Sequence, residues 1–214
     1  MNATATRLVE AAARLLATDG EAAVTARRVT AEVGVSTMAV YTHFGSMEGL
    51  LAAIWQEGFA RFGAELDAPS HTSDPVADLM AQAWGYRHFA LREPHLYQVM
   101  FGPGLASVHV GSPGDEPVGF DTFLSLLTRL ERCATAERFS IDDLFLAGEV
   151  VWAAVHGHCQ IELTGYHDQL GRDPTASYAE IVLRLAIGFG DEPSEARASM
   201  RRSRTRARRA GQLD

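Results

Sequence analysis

Lysine is absent from the 214-residue chain, and all nineteen of its cations are arginine. Cysteine is scarce: Cys133 and Cys159 are too few for a disulfide framework or a zinc motif, so a reducing compartment is expected. No apolar run is uninterrupted for the length of a bilayer. The longest candidate, 141–163, carries Asp142, Asp143, Glu149, His156 and His158. The N-terminus lacks a basic stretch leading into an unbroken apolar core, since Glu10 falls within it, and no signal peptide is expected. Alternating strand patterns are missing, and so is a glycine-rich loop that follows a strand. Neither a Gly-x-Ser-x-Gly elbow nor a Cys/His/Asp cluster at motif spacing occurs. His158 and Glu162 have the i, i+4 spacing of two metal ligands, but no third ligand is evident. These absences lead us to expect no enzyme, no catalytic residues, no metal, no cofactor and no membrane span. The expected location is the cytoplasm.

What is present suits a folded protein. Hydrophobic residues make up 47% of the chain and charged residues 21%. The formal charge of -8 is unevenly spread. Arg197, Arg201, Arg202, Arg204, Arg206, Arg208 and Arg209 crowd the C-terminus, where only Asp214 opposes them beyond position 196. This reads as a basic, flexible, solvated tail (192–214) on an acidic body.

The hydrophobic pattern is helical throughout. Leu8, Ala11, Ala12, Leu15 and Leu16 recur at helical spacing, and Asp19-Gly20 ends that segment. Thr25, Ser36 and Ser46 are expected caps for the next three helices, the last reaching about Asp67. Further helices are expected over 75–92, 94–101 and 120 to about 138. One more is opened by Ser140 and Asp143 as a capping box and ends near Gly165, and a last one spans 174–189. The stretch from Gly102 to Gly119 reads as the one long loop. The fold class is therefore all-α, with a small N-terminal three-helix domain (1–45) and a larger helical domain (46–191) joined by a connecting helix (46–68).

The stretch "TARRVTAEVGVSTMAVYTHF", Thr25 to Phe44, contains two short helices with a glycine turn between them. Val29 and Val33 lie one turn apart on the first helix, and Val40 and Phe44 on the second. With Val24 and Val35 they are expected to form a core against Leu8, Ala12 and Leu15. That leaves Thr37, Met38, Tyr41 and Thr42 facing outward. Short, uncharged or aromatic groups on a protruding helix suit the DNA major groove, where hydroxyls donate to phosphates and methyls touch thymine.

The longer string "TARRVTAEVGVSTMAVYTHFGSMEGLLAAI" resembles the N-terminal helix-turn-helix of TetR-family transcriptional regulators. The Val-Gly-Val turn, Tyr41, His43-Phe44 and "SMEGLL" carry the resemblance. It implies that Thr37 and Met38 face base edges, with Ser36 and Thr42 beside them at the groove. Tyr41 and His43 are implied to contact phosphates. Thr25 and Arg27 are implied to reach the DNA from the first helix of the motif, with Arg28 assisting electrostatically. Met47 stands where the family often has lysine, and Ala39 replaces a common threonine or glycine. Through Ala60 only Arg7, Arg14, Arg27 and Arg28 oppose six acids. An alternative reading is therefore a helical small-molecule-binding protein whose DNA-reading head is weak.

"YRHFALREPHLYQVMFG" and "VWAAVHGHCQIELTGY" resemble the C-terminal domain of the Trp-His-Gly subgroup of that family, with Trp152, His156 and Gly157 carrying the signature. The resemblance implies a small-molecule site. Trp152 and His156 share a helix face, with Gly148 one turn earlier and Cys159 and Leu163 continuing it. Phe89, Tyr97, Met100, Phe101 and Phe123 are expected to supply the other walls. On 174–189, Ile181, Leu185 and Phe189 fall on one side and Leu183 and Ile187 elsewhere. Two apolar faces imply two partners: the chain's own core and a second subunit. The expected whole is a homodimer, joined through its last two helices, that represses from a palindromic operator of double-stranded DNA. A small apolar or amphipathic effector is expected to release it.

Overall fold

The computed structural model describes residues 1–102 and 119–213, and every element in them is helical. In order they are α1 (Ala3–Asp19), a short 3-10 turn (Glu21–Ala23), α2 (Ala26–Val33), α3 (Met38–Phe44), α4 (Met47–Asp67) and α5 (Pro75–Arg92). Then come α6 (Pro94–Phe101), α7 (Phe120–Thr135), α8 (Leu144–Leu163), α9 (Tyr166–Gln169), α10 (Pro174–Gly188) and α11 (Pro193–Arg209). The long loop expected over 102–119 falls almost wholly outside the described residues.

The chain forms two compact units: residues 1–61 with 93–120, and residues 62–92 with 121–214. The division falls within α4, the expected connecting helix.

In the first unit, α1 packs on α2, α3 and α6. Asn2 starts α1 by accepting from the Ala5 N–H. Leu8, Val9 and Ala12 on its inner side are fully buried, as are Val29, Val40, Leu50, Ile54 and Tyr97.

In the second unit, α5 is the central helix and packs on α8, α10 and α11. Phe62, Trp84, Phe89, Leu130 and Tyr178 fill its core. The caps differ in part from expectation. Asp173 caps α10 through the Thr175 N–H, as the Asp-Pro pair suggests. Asp143 alone caps α8 through the Leu146 N–H, because the helix starts at Leu144, three residues beyond where a Ser140 cap would set it. The core face of α10 is Tyr178, Ala179, Val182 and Ala186. Ile181, Leu185 and Phe189, expected on one side, are half-buried, and so are Leu183 and Ile187, expected elsewhere.

The expected flexible tail is instead helix α11. Ala196, Ser199, Met200, Ser203 and Ala207 recur at 3-4 spacing and are buried against α5. The Trp84 indole N–H donates to Ser203 Oγ at 3.3 Å. Arg202 and Arg206 pair with Asp74 and Asp78. Once arranged by face, the composition that reads as disorder makes an amphipathic helix with a narrow, small-residue seam.

Candidate nucleic-acid interface

Local chemistry sets the two-helix element. Thr25 Oγ1 accepts from the Arg28 N–H at 3.3 Å and starts α2. Gly34 ends it at φ 76°, ψ 36°, a left-handed conformation that a side chain resists. Its N–H and that of Val35 both return to the Thr30 carbonyl, at 2.9 and 3.0 Å. The Arg7 guanidinium donates to the Val33 carbonyl at 2.8 Å and ties the end of α2 to α1.

Thr37, rather than the expected Ser36, occupies the position before α3. Its backbone is already helical, and it makes no side-chain cap bond. The expectation fails because the turn after Gly34 runs one residue longer. One result is that neither hydroxyl is used in capping α3.

The buried side of the element is close to expectation. Val24, Val29, Val33 and Val40 are buried with Leu8, Ala12 and Leu15. Val35 and Phe44 are only half-buried. Phe44 ends α3 where α4 begins, and a Cβ on Gly49 would lie 2.0 Å from the Phe44 carbonyl oxygen and 3.6 Å from its Cβ. Gly49 is thus a positioning residue that sequence reasoning missed. Its signal was a small residue inside "SMEGLL".

The opposite edge is open. Met38 is 64% exposed and Tyr41 47%, while Val40 between them is 0% exposed. Thr25, Arg27, Arg28, Ser36, Thr37 and Thr42 are exposed as well. His43 is half-buried, with its ring edge-on to Phe44 at 6.1 Å, so it offers less surface than expected. Arg28 Nη2 lies 2.5 Å from Asp19 Oδ2. The hydrogen bond from Arg28, assisted by Thr18, holds the Asp19 carboxyl below the usual range. Arg14 pairs with Glu32. Arg27 has no side-chain partner among the described residues, which leaves its five donors available.

The residues expected around a ligand are divided between the two units. Tyr97, Met100 and Phe101 belong to the first unit. There Phe101 contacts Tyr97 and Phe59 at ring distances of 5.0 and 5.8 Å. Phe89, Phe123, Trp152 and His156 belong to the second. Phe89 is fully buried and packs on Phe62 at 5.1 Å. Phe123, Trp152 and His156 form a chain of contacts at 6.3 and 6.0 Å. His156 Nδ1 lies 2.9 Å from the Tyr86 hydroxyl, and burial lowers the pKa of the imidazole. Gly148 leaves no gap for a ligand, because a Cβ there would lie 2.5 Å from Leu127 Cδ2 and 2.9 Å from Phe123 Cζ. Cys159 is buried, and burial pushes its thiol up to about 12. Glu162 is held by Arg87 through Nε at 2.8 Å and Nη2 at 2.5 Å. His158 Nε2 lies 2.8 Å from Ser177 Oγ.

A second surface feature lies on the helix expected to take part in the dimer. On α8, Leu146, Val150, Ala153 and Ile161 are exposed and Gly157 is half-buried. They follow one another at intervals of four, three, four and four residues. Together they make an apolar stripe at the 3-4 spacing by which helices pack on one another.

Comparison with known proteins agrees with this geometry. Residues 8–54 match the model for bacterial regulatory proteins of the tetR family. Residues 79–185, half of the chain, match the tetracyclin repressor-like C-terminal domain. The Trp-His-Gly subgroup remains a resemblance carried by Trp152, His156 and Gly157. An HTH-type transcriptional regulator of Mycobacterium tuberculosis is 23% identical over 182 residues, covering 85% of this chain and 79% of that one. A tetR-family regulatory protein from Rhodococcus RHA1 has a similar fold, with TM-score 0.68 and 23% identity over 90% of this chain and 100% of that one. A γ-butyrolactone receptor aligns with TM-score 0.70 and 20% identity over 97% of both chains. With its helix-turn-helix at the N-terminus and its helical C-terminal half, the chain belongs to the TetR family of DNA-binding transcriptional regulators.

Proposed function

We propose that the protein is a homodimeric cytoplasmic repressor that binds a palindromic operator and leaves it when a small effector binds. Residues 1–45 read the DNA, and residues 46–191 hold the effector and the dimer seam. One observation carries the reading: Thr37, Met38, Tyr41 and Thr42 are all exposed on one edge while Val40 behind them is fully buried. Thr37 and Met38 meet base edges, with Ser36 and Thr42 beside them. Tyr41, Thr25 and Arg27 anchor to phosphates, and His43 and Arg28 contribute from the margins. Phosphate contacts set the register, and base edges set the sequence.

The apolar seam of α8 supports the dimer. A two-fold axis through it presents two recognition helices, as a palindrome requires. The likeness to a γ-butyrolactone receptor favours an effector with an apolar body and a few polar atoms. Phe123, Trp152 and His156 offer aromatic and hydrogen-bonding contacts of that kind. Effector binding acts by favouring dimer conformations whose heads no longer match adjacent major grooves.

Selection of bound duplexes from a randomised pool tests the reading. Enrichment of a two-fold symmetric sequence is expected. Enrichment of an asymmetric site contradicts the dimer, and retention of all duplexes alike contradicts base reading. The latter result would favour the second reading, a small-molecule-binding protein with a weak head. The internal pairing of Arg14 and Arg28 with Glu32 and Asp19 speaks for that reading. Its electrostatic mark is a shallow dependence of affinity on salt.

A further inference from the structure

Seven of the chain's nineteen arginines lie on α11. Its outer side, with the loop that leads into α5, borders a cleft of about 710 Å³ within the second unit. Arg138, Arg201, Arg202, Arg206 and Arg209 line it, opposed in the lining by Asp74 and Glu195.

Carboxylates, those of Asp78 and Asp191 buried and that of Asp74 half-buried, set three of these guanidinium groups in place. Arg138 donates to Asp191 through Nε at 2.5 Å and Nη2 at 2.8 Å. Arg202 Nη1 lies 2.6 Å from Asp74 Oδ2, and Arg206 Nη1 lies 2.6 Å from Asp78 Oδ1. Each guanidinium has five N–H donors, so these bonds fix orientation without using every donor. The side chains of Arg201 and Arg209 pair with nothing among the described residues. The result is a row of donors, part anchored and part open, facing a concavity.

Such a row selects anions, and arginine forks match phosphate oxygens two at a time. From Arg201 to Arg209 the helix rises about 12 Å. A single phosphate meets only part of that row, whereas linked phosphates meet its length. The volume suits a small molecule. A duplex is a convex rod and does not enter a concavity of this size. We propose that the α11 cleft binds a small molecule carrying a chain of phosphates. This site is independent of α3 and of the DNA reading.

Calorimetric titration of inorganic triphosphate into the full-length protein, at constant ionic strength, tests the proposal. Saturable binding at one site per chain is expected. The double variant Arg201→Ala/Arg209→Ala should lower the affinity about tenfold or more. Its melting temperature should stay that of the unaltered protein, since neither guanidinium has an internal partner. The double variant Arg172→Ala/Arg184→Ala removes equal charge from residues that are outside α11 and do not line the cleft, and should leave the affinity unchanged. Absence of saturable binding overturns the proposal. So does an equal loss in both double variants, which would reveal a general field rather than a site. Displacement of triphosphate by a duplex of random sequence would assign the arginine row to DNA backbone and would also overturn it.

Discussion

Replacing Asp78 with alanine should loosen α11 from the body. Asp78 is fully buried and accepts four hydrogen bonds: from the Thr72 N–H at 2.7 Å, Thr72 Oγ1 at 2.8 Å, Arg206 at 2.6 Å and Arg132 at 3.0 Å. Burial alone would raise its pKa, but the bonds from Thr72, Arg206 and Arg132 outweigh burial and lower it. Breaking a buried ion pair on one side costs about 3–5 kcal/mol. Arg132 and Arg206 are partly exposed and can turn toward water, which places the loss near the lower end, about 3 kcal/mol. In a chain of this size that is roughly 6–12 °C in melting temperature. Circular dichroism reads the shift. Trypsin reads its location, because the arginine-rich helix is a substrate once it opens. The pH dependence has a definite sign. A carboxylate whose folded pKa is depressed stabilises above its unfolded value and ceases to as the pH falls through the folded one. The gap between unaltered protein and variant should therefore be full at pH 7 and narrow in acid, from about pH 4 downward. A loss under about 1 kcal/mol at pH 7 would refute the reasoning. So would a gap that widens in acid, or trypsin cleavage of α11 that is equally fast in both proteins.

Two further outcomes follow from packing. Val150→Asp combined with Ile161→Asp places charge on exposed positions of the α8 seam, and should give folded monomers by sedimentation; a persisting dimer would move the interface elsewhere. Gly148→Ala forces a methyl against Leu127 and Phe123, and should lower stability by about 1–3 kcal/mol in thermal melts. An unchanged melt would mean that α7 and α8 do not approach there.

The helices were legible where local chemistry marks them. Pro75 and Pro94 stand at the first positions of α5 and α6, and Thr25 and Asp173 cap where a short polar side chain should. The valine core of the first unit followed from helical spacing, and the open edge of α3 from what that spacing left over. The sequence misled where several polar residues compete for one cap. Thr37 took the place of Ser36, and Asp143 that of Ser140. It misled most at α11, whose arginines dominate the composition while Ala196, Ser199, Ser203 and Ala207 set the packing. The partners that hold those arginines, Asp74 and Asp78, stand 128 residues away from Arg202 and Arg206, beyond any local pattern. The ligand assignments rested on residue type. An aromatic side chain serves a core as well as a pocket, and Phe89, fully buried against Phe62, serves the core.

The most direct measurement compares the unaltered protein with Thr37→Ala/Tyr41→Ala on the duplex that selection recovers, with thermal melts run alongside. Both residues are exposed, so the melting temperature should not change. Affinity for the selected duplex should fall by about 2–4 kcal/mol, while affinity for a scrambled duplex falls less. An unchanged affinity for the selected duplex would contradict the claim that this edge of α3 reads DNA. A variant that unfolds would show that the edge belongs to the core.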